Sequence, residues 1–148
     1  NLYGPNDFFH PTKGHVIPSL MTRMLQAKVN KDNEFLIWGT GTPKREFLYV
    51  DDLAECIEFL LDKETEDDIL NVGSNEEITI NKLAEKIKHT INFEGKLNFD
   101  KSKPDGNPRK LLDSSNINKI GWKSKTTLTD GLTKTYNWYL ENQEDVRS

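Results

Sequence analysis

Apolar positions along this chain switch repeatedly between a helical and an extended period. After Pro18, Leu20, Met21, Met24 and Leu25 recur at one-turn spacing, so a helix with a buried stripe is expected there, ended by the polar run Lys28 to Asn33. Glu34 to Trp38 reads as a strand closed by the turn Gly39-Thr40-Gly41-Thr42-Pro43. Glu46 to Val50 reads as a second strand. Asp51 and Asp52 then stand where carboxylates can cap a helix and place negative charge on its first turn. In that helix Leu53, Ile57, Leu60 and Leu61 are expected to face inward, and the short apolar run Ile69 to Gly73 to form a buried strand. Ile80, Leu83, Ala84, Ile87 and Ile91 mark a further helix. A strand, Lys96 to Asp100, and a polar loop from Lys101 to Arg109 follow. A short helix runs from Asp113-Ser114-Ser115 to Gly121, and a last helix starts near Thr127 with Leu128, Leu132, Thr135, Tyr136 and Tyr139 on one side. This alternation predicts an α/β unit over residues 1–142, followed by a frayed, flexible tail over 143–148.

Composition narrows the chemistry. The chain has 148 residues, enough for one domain with its own core, and a formal charge of −4, which argues against a general nucleic-acid binder. No apolar run approaches the roughly 20 residues of a membrane span. The single cysteine, Cys56, rules out an internal disulfide and a cysteine metal cluster, so no metal is expected and a reducing, cytoplasmic setting fits. Cys56 sits in an apolar helical stripe and reads as a core residue. There is no G-x-G-x-x-G and no G-x-x-x-x-G-K-[ST], so the dinucleotide and triphosphate fingerprints are both missing; Gly39-Thr40-Gly41 is a turn. The opening NLYGPNDFFHPTKG shows no basic stretch ahead of an apolar core, as a signal peptide would, and reads as the end of a strand and a turn.

Three stretches carry more than pattern: NLYGPNDFFHPTKGHVIP, IWGTGTPKREFLYVDDLA and DKSKPDGNPRKLLD. Together they resemble the GDP-L-fucose synthases, extended short-chain dehydrogenases/reductases. Asn1 to Pro5, and Arg45-Glu46-Phe47 with Val50-Asp51-Asp52, fit many nucleotide-sugar enzymes. His10-Pro11, His15-Val16-Ile17-Pro18 and Ser102 to Gly106 with Pro108-Arg109-Lys110 are more selective. The resemblance implies the C-terminal, substrate-binding part of such an enzyme, with remnant Rossmann-type elements, the NADP-binding half lying outside the chain. It also implies the reaction: GDP-4-keto-6-deoxy-D-mannose is epimerised at C3 and C5 and reduced at C4 by NADPH to GDP-L-fucose. A C4 ketone acidifies the protons on both neighbouring carbons, so one acid/base couple can serve both epimerisations. The Ser-Tyr-Lys set that such enzymes use at the ketone oxygen does not occur here, so the chain alone is expected to be inactive. The resemblance also implies a homodimer for the full-length enzyme.

The same resemblance assigns roles. His15 becomes the acid/base histidine, a task suited to an imidazole, whose unperturbed pKa is near neutral; its partner cysteine is expected outside this chain, and Cys56 is not that partner. Asn1, Leu2 and His15 are expected beside the nicotinamide end of NADPH. Arg45 and Arg23 are expected on the diphosphate, where a planar guanidinium donates two parallel bonds. Trp38 is expected over the sugar or nucleotide, Val16 and Leu20 at the guanine, and Asp105 and Lys110 at ribose hydroxyls or guanine. Each has a plainer reading: a helix-start histidine bonded to backbone, surface arginines, a core tryptophan, helix packing, and a good turn at Lys-Pro-Asp-Gly. His10 is expected to shape its turn with Pro11. Two other functions compete. One is a non-catalytic GDP-sugar-binding module, which would bind GDP by itself; the other is a related dehydratase or 4-epimerase, which would turn over GDP-mannose and ignore the keto sugar.

Overall fold

The computed structural model describes residues 1–65, 69–144 and 146. Twelve short elements alternate along it. Strand β1 (Leu2–Tyr3) leads through a long loop to helix α1 (Val16–Asn30). Next come β2 (Glu34–Trp38), β3 (Lys44–Glu46), β4 (Leu48–Tyr49) and α2 (Val50–Leu61). They are followed by β5 (Glu77–Thr79), α3 (Ile80–Ile91), β6 (Lys96–Asp100) and β7 (Arg109–Lys110). Helices α4 (Ser115–Ile120) and α5 (Leu128–Glu141) close the chain. Of the tail expected to fray, residues 145, 147 and 148 lie outside the described residues.

Strands pair in three small groups. β1 lies parallel to β4, and β2 runs parallel to β6 over its whole length, from Glu34 opposite Lys96 to Trp38 opposite Asp100. β3 is central in a mixed group, antiparallel to β5 and parallel to β7. Arg109 on β7 reaches across β3 to Glu77 on β5 with Nε–Oε1 2.5 Å and Nη2–Oε2 3.0 Å. That fork draws the Glu77 carboxyl below its usual range.

The larger core joins α1, α3 and α5 to β2. Met21, Met24, Leu83, Ala84, Ile87, Ile91 and Leu132 are fully buried, as the helical spacing of the sequence predicts. Phe9 carries the loop after β1 onto α5, stacking on Trp138 and Tyr139 at 5.9 and 4.6 Å between ring centres. A smaller core gathers Leu48, Cys56, Ile117 and Trp122, so the cysteine is a core residue.

Several expectations change. α1 begins at Val16, not after Pro18; a proline fits the first turn because its missing N–H would have no helical partner there. The strand expected over Glu46 to Val50 splits into β3 and β4 at Phe47, and Val50 already belongs to α2. Asp52 does not cap α2. It is buried and accepts from the backbone N–H groups of Lys125 and Thr126 and from the Thr126 hydroxyl. The inward face of α2 is correspondingly rotated: Asp52 and Cys56 are buried, whereas Ile57 and Leu61 are exposed. Ile69 to Gly73 is not a strand. Leu70 and Val72 pack on the small core while Ile69 faces outward, an extended alternation that pairs with no strand among the described residues. β5 and β7 were not expected.

Candidate active site

Four segments converge: the loop between β1 and α1, the first turns of α1, the β2–β3 turn, and the loop between β6 and β7. They enclose two adjoining cavities of about 570 and 320 Å³, which share Gly14, Val16 and Arg45 as a common wall. Local sequence explains the shape. His10 Nδ1 accepts the backbone N–H groups of Thr12 and Lys13, both at 3.1 Å, and the ring stacks on Phe8, so the histidine shapes its turn as expected. Gly14 closes that turn; a Cβ there would stand 2.5 Å from the Phe8 carbonyl oxygen and 2.6 Å from that of His10. Ser19 on α1 donates to the Pro11 carbonyl at 2.6 Å and fastens the loop to the helix.

His15 is the residue immediately before α1. Its side chain caps nothing and is 80% exposed, while Nδ1 stands 3.4 Å from an oxygen of Asp7, which is only 13% exposed. Both line the larger cavity with Asn1 and Leu2, against an apolar wall of Tyr3, Pro5, Ile17 and Val50. Asn1 donates its side-chain N–H to the Glu46 carbonyl at 2.7 Å, which ties the rim of this cavity to β3.

The smaller cavity is lined by Leu20, Arg23, Trp38 and Asp105, with Val16 and Arg45 on the shared wall. Trp38 is 50% exposed and is therefore not a core tryptophan. The Arg23 guanidinium lies 5.0 Å from the Phe35 ring centre and 5.1 Å from that of Trp38, and donates to the Leu36 carbonyl. Burial lowers its pKa from an ordinary arginine value, so the desolvated cation is held by ring faces and one carbonyl. Arg45 donates through Nη1 to the carbonyls of Lys44 and Asn107, at 2.7 and 2.6 Å, and so pins the β6–β7 loop beside β3.

Asp105 has partners of its own. Its oxygens accept from the Thr40 backbone N–H at 2.8 Å and the Thr40 hydroxyl at 2.6 Å, which lowers its pKa. Gly39 makes the clasp possible. It has φ +84°, and a Cβ there would run into the Asp105 carboxylate. The Gly39–Pro43 turn thus buttresses the cavity lip. Lys110 is the one expected ligand that lies outside both cavities; it is exposed on β7 in register with Arg45.

Asp7 and Thr40 were not among the expected residues. Neither carries a periodicity signal. Asp7 reaches His15 only because the loop between them folds back at Gly14, and Thr40 meets Asp105 across 65 positions of sequence.

The arrangement supports acid/base chemistry at an exposed imidazole beside a cation-bearing, aromatic groove. Comparison with known proteins narrows it. The family described as NAD dependent epimerase/dehydratase matches residues 1–73. GDP-L-fucose synthase 1 of Arabidopsis thaliana is 56% identical over 96% of the chain and 44% of its own length. The GDP-L-fucose synthase of Escherichia coli K12 is 42% identical over 99% of the chain and 49% of its own. A solved GDP-L-fucose synthetase from Naegleria fowleri, bound to NADP, superposes with a TM-score of 0.92 at 32% identity, over 100% of this chain and 47% of that one. The chain spans less than half the length of these relatives. By sequence and fold together, residues 1–73 match the NAD dependent epimerase/dehydratase family, and the chain as a whole is similar to the GDP-L-fucose synthases.

Proposed function

We propose that the chain is the GDP-sugar-binding, C-terminal part of an enzyme that converts GDP-4-keto-6-deoxy-D-mannose to GDP-L-fucose. The observation that carries this reading is the joined pair of cavities, with an exposed histidine in one and stacked, desolvated Arg23 in the other. A nucleotide diphosphate sugar needs cations for its phosphates, a flat surface for its rings and a proton-transfer group at the sugar. The two cavities offer all three.

In this reading Arg45 and Arg23 hold the diphosphate, Trp38 covers the sugar or nucleotide, and Val16 and Leu20 flank the guanine. Asp105 retains lone pairs beyond those engaged by Thr40 and accepts from ribose hydroxyls, with Lys110 alongside. His15 exchanges protons at C3 and C5. Removing a proton beside a ketone leaves charge delocalised onto the ketone oxygen; His15 serves one face of the carbon, and inversion requires the partner acid/base group, expected outside this chain, to serve the opposite face. NADPH supplies the hydride for C4. The near edge formed by Asn1, Leu2 and His15, against apolar Tyr3, Pro5 and Val50, suits the flat, weakly polar nicotinamide. No glycine-rich loop for the cofactor's diphosphate occurs in the sequence. Hydride transfer therefore depends on residues beyond this chain. A cytoplasmic homodimer is the expected setting, supported by the lone buried cysteine for the first and by the family resemblance for the second. No helix among the described residues is long and apolar enough to cross a membrane.

The test is a substrate comparison. The full-length protein should oxidise NADPH with GDP-4-keto-6-deoxy-D-mannose and leave GDP-mannose unchanged, whereas the 148-residue chain alone should oxidise none. Turnover of GDP-mannose by the full-length protein, or NADPH oxidation by the chain alone, would contradict the assignment.

A further inference from the structure

Among the described residues, few buried polar atoms are without a hydrogen-bond partner, and one of them belongs to Asp7. This carboxylate sits in the loop between β1 and α1. Its Oδ1 accepts the Phe8 backbone N–H at 2.7 Å and also stands 3.4 Å from Nδ1 of His15. Its Oδ2 is buried and accepts from no group. A carboxylate kept in this state costs stability, because a buried acceptor without a donor forfeits the bonds water would make. The loop nevertheless holds it against the one exposed imidazole that faces the larger cavity.

We propose that Asp7 is a positioning residue for His15: it holds the proton on Nδ1 and the ring in place, so that Nε2 is the nitrogen presented to substrate. The inference rests on the reading of His15 as the acid/base group. Its physical basis is the asymmetry of imidazole. The two ring nitrogens share one proton in the neutral form, and a carboxylate at one of them fixes where it sits. Nε2 is then unprotonated and can take a proton from carbon. When it has done so, the imidazolium faces a carboxylate that already stands in place, and no solvent need reorganise. Two features argue that this pairing is specific. His15 makes no capping bond with its side chain despite standing immediately before α1, so the ring is not fixed by the helix. Asp7 in turn is oriented by Phe8, whose ring stacks on His10, the residue that shapes the same loop.

The experiment uses the full-length protein and reads incorporation of solvent deuterium at C3 and C5 of the keto sugar. Asp7→Asn keeps the shape and the bond from Phe8 but removes the charge and permits the wrong tautomer. Exchange should fall by at least about ten-fold, the direction seen when an orienting carboxylate behind a catalytic histidine becomes an amide. GDP affinity should stay within about two-fold, because Asp7 does not line the smaller cavity. Asp7→Glu should recover part of the loss. Nitrogen-15 spectra of His15 should show the Nδ1–H tautomer in the parent protein and a larger Nε2–H share in the variant. Loss of exchange in His15→Gln with normal exchange in Asp7→Asn overturns this inference alone. Normal exchange in His15→Gln overturns the acid/base reading and this inference with it. Should Asp7→Asn fail to fold, the parent spectrum decides: a dominant Nε2–H tautomer contradicts the proposal, and a dominant Nδ1–H tautomer supports it.

Discussion

At the scale of single residues, the site is built from polar groups that bond to the protein first and face the cavity second. Arg45 spends donors on two carbonyls and Arg23 on one carbonyl and two ring faces, while Asp105 accepts from Thr40. Such prior bonding removes rotamer freedom before a ligand arrives, so less entropy is lost on binding. It also makes the cavity lip sensitive to acid. The Asp105 carboxyl is held below its usual value of 3.8 by the Thr40 bonds. A depressed folded value means that the stabilisation is present above the unfolded value and disappears as pH falls through the folded one. Protection of the Thr40 amide against hydrogen exchange should therefore be constant above about pH 4 and fall below it, and Asp105→Asn should abolish that acid step. A parent protein with unchanged Thr40 protection down to about pH 2 would show that the clasp is not made by the carboxylate.

At the scale of elements, β3 is the hub, and a buried acid holds its neighbours. Glu46 is 2% exposed and accepts from the backbone N–H groups of Asn75 at 2.7 Å and Leu112 at 3.2 Å. Glu46→Ala would leave two amides without their partner, at about 1–3 kcal/mol each, and should lower stability by about 2–6 kcal/mol in urea unfolding. Glu46→Gln keeps one acceptor and should cost less; equal losses in the two variants would mean that packing, not hydrogen bonding, explains the burial. The legibility of elements follows their length. α3 and α5 were plain from spacing because four or more apolar positions fall on one face, and β2 and β6 because five residues suffice to show a strand. β5 and β7, of three and two residues, contain no period to read. The face of α2 was misjudged for a chemical reason. Hydrophobic counting points Ile57 and Leu61 inward, yet the buried carboxylate of Asp52 is satisfied by a loop more than 70 positions away. Pairings of that kind leave no trace in local sequence. The site shows the same division. His15, Arg23, Trp38 and Arg45 were named from short motifs, whereas Asp7 and Thr40 emerge only when the loops are folded.

At the scale of the molecule, the proposed function makes this chain one side of a reaction centre. The cavities are lined by loops together with residues of the neighbouring strands and helices, and the chain covers 44–49% of the length of its synthase relatives from Arabidopsis and Escherichia coli. In the proposed function, grip and proton transfer are separable, since His15 lines one cavity and Arg23, Trp38 and Asp105 line the other. Substitution at His15 should thus disable chemistry without releasing the nucleotide. The most direct measurement is solvent-deuterium incorporation at C3 and C5 of GDP-4-keto-6-deoxy-D-mannose by the full-length protein carrying His15→Gln, alongside its affinity for GDP. Exchange should drop by about 100-fold or more, with GDP affinity within about two-fold of the parent protein. Exchange at the parent rate would contradict the account, because the histidine at the start of α1 would then be structural and the proton chemistry would lie elsewhere.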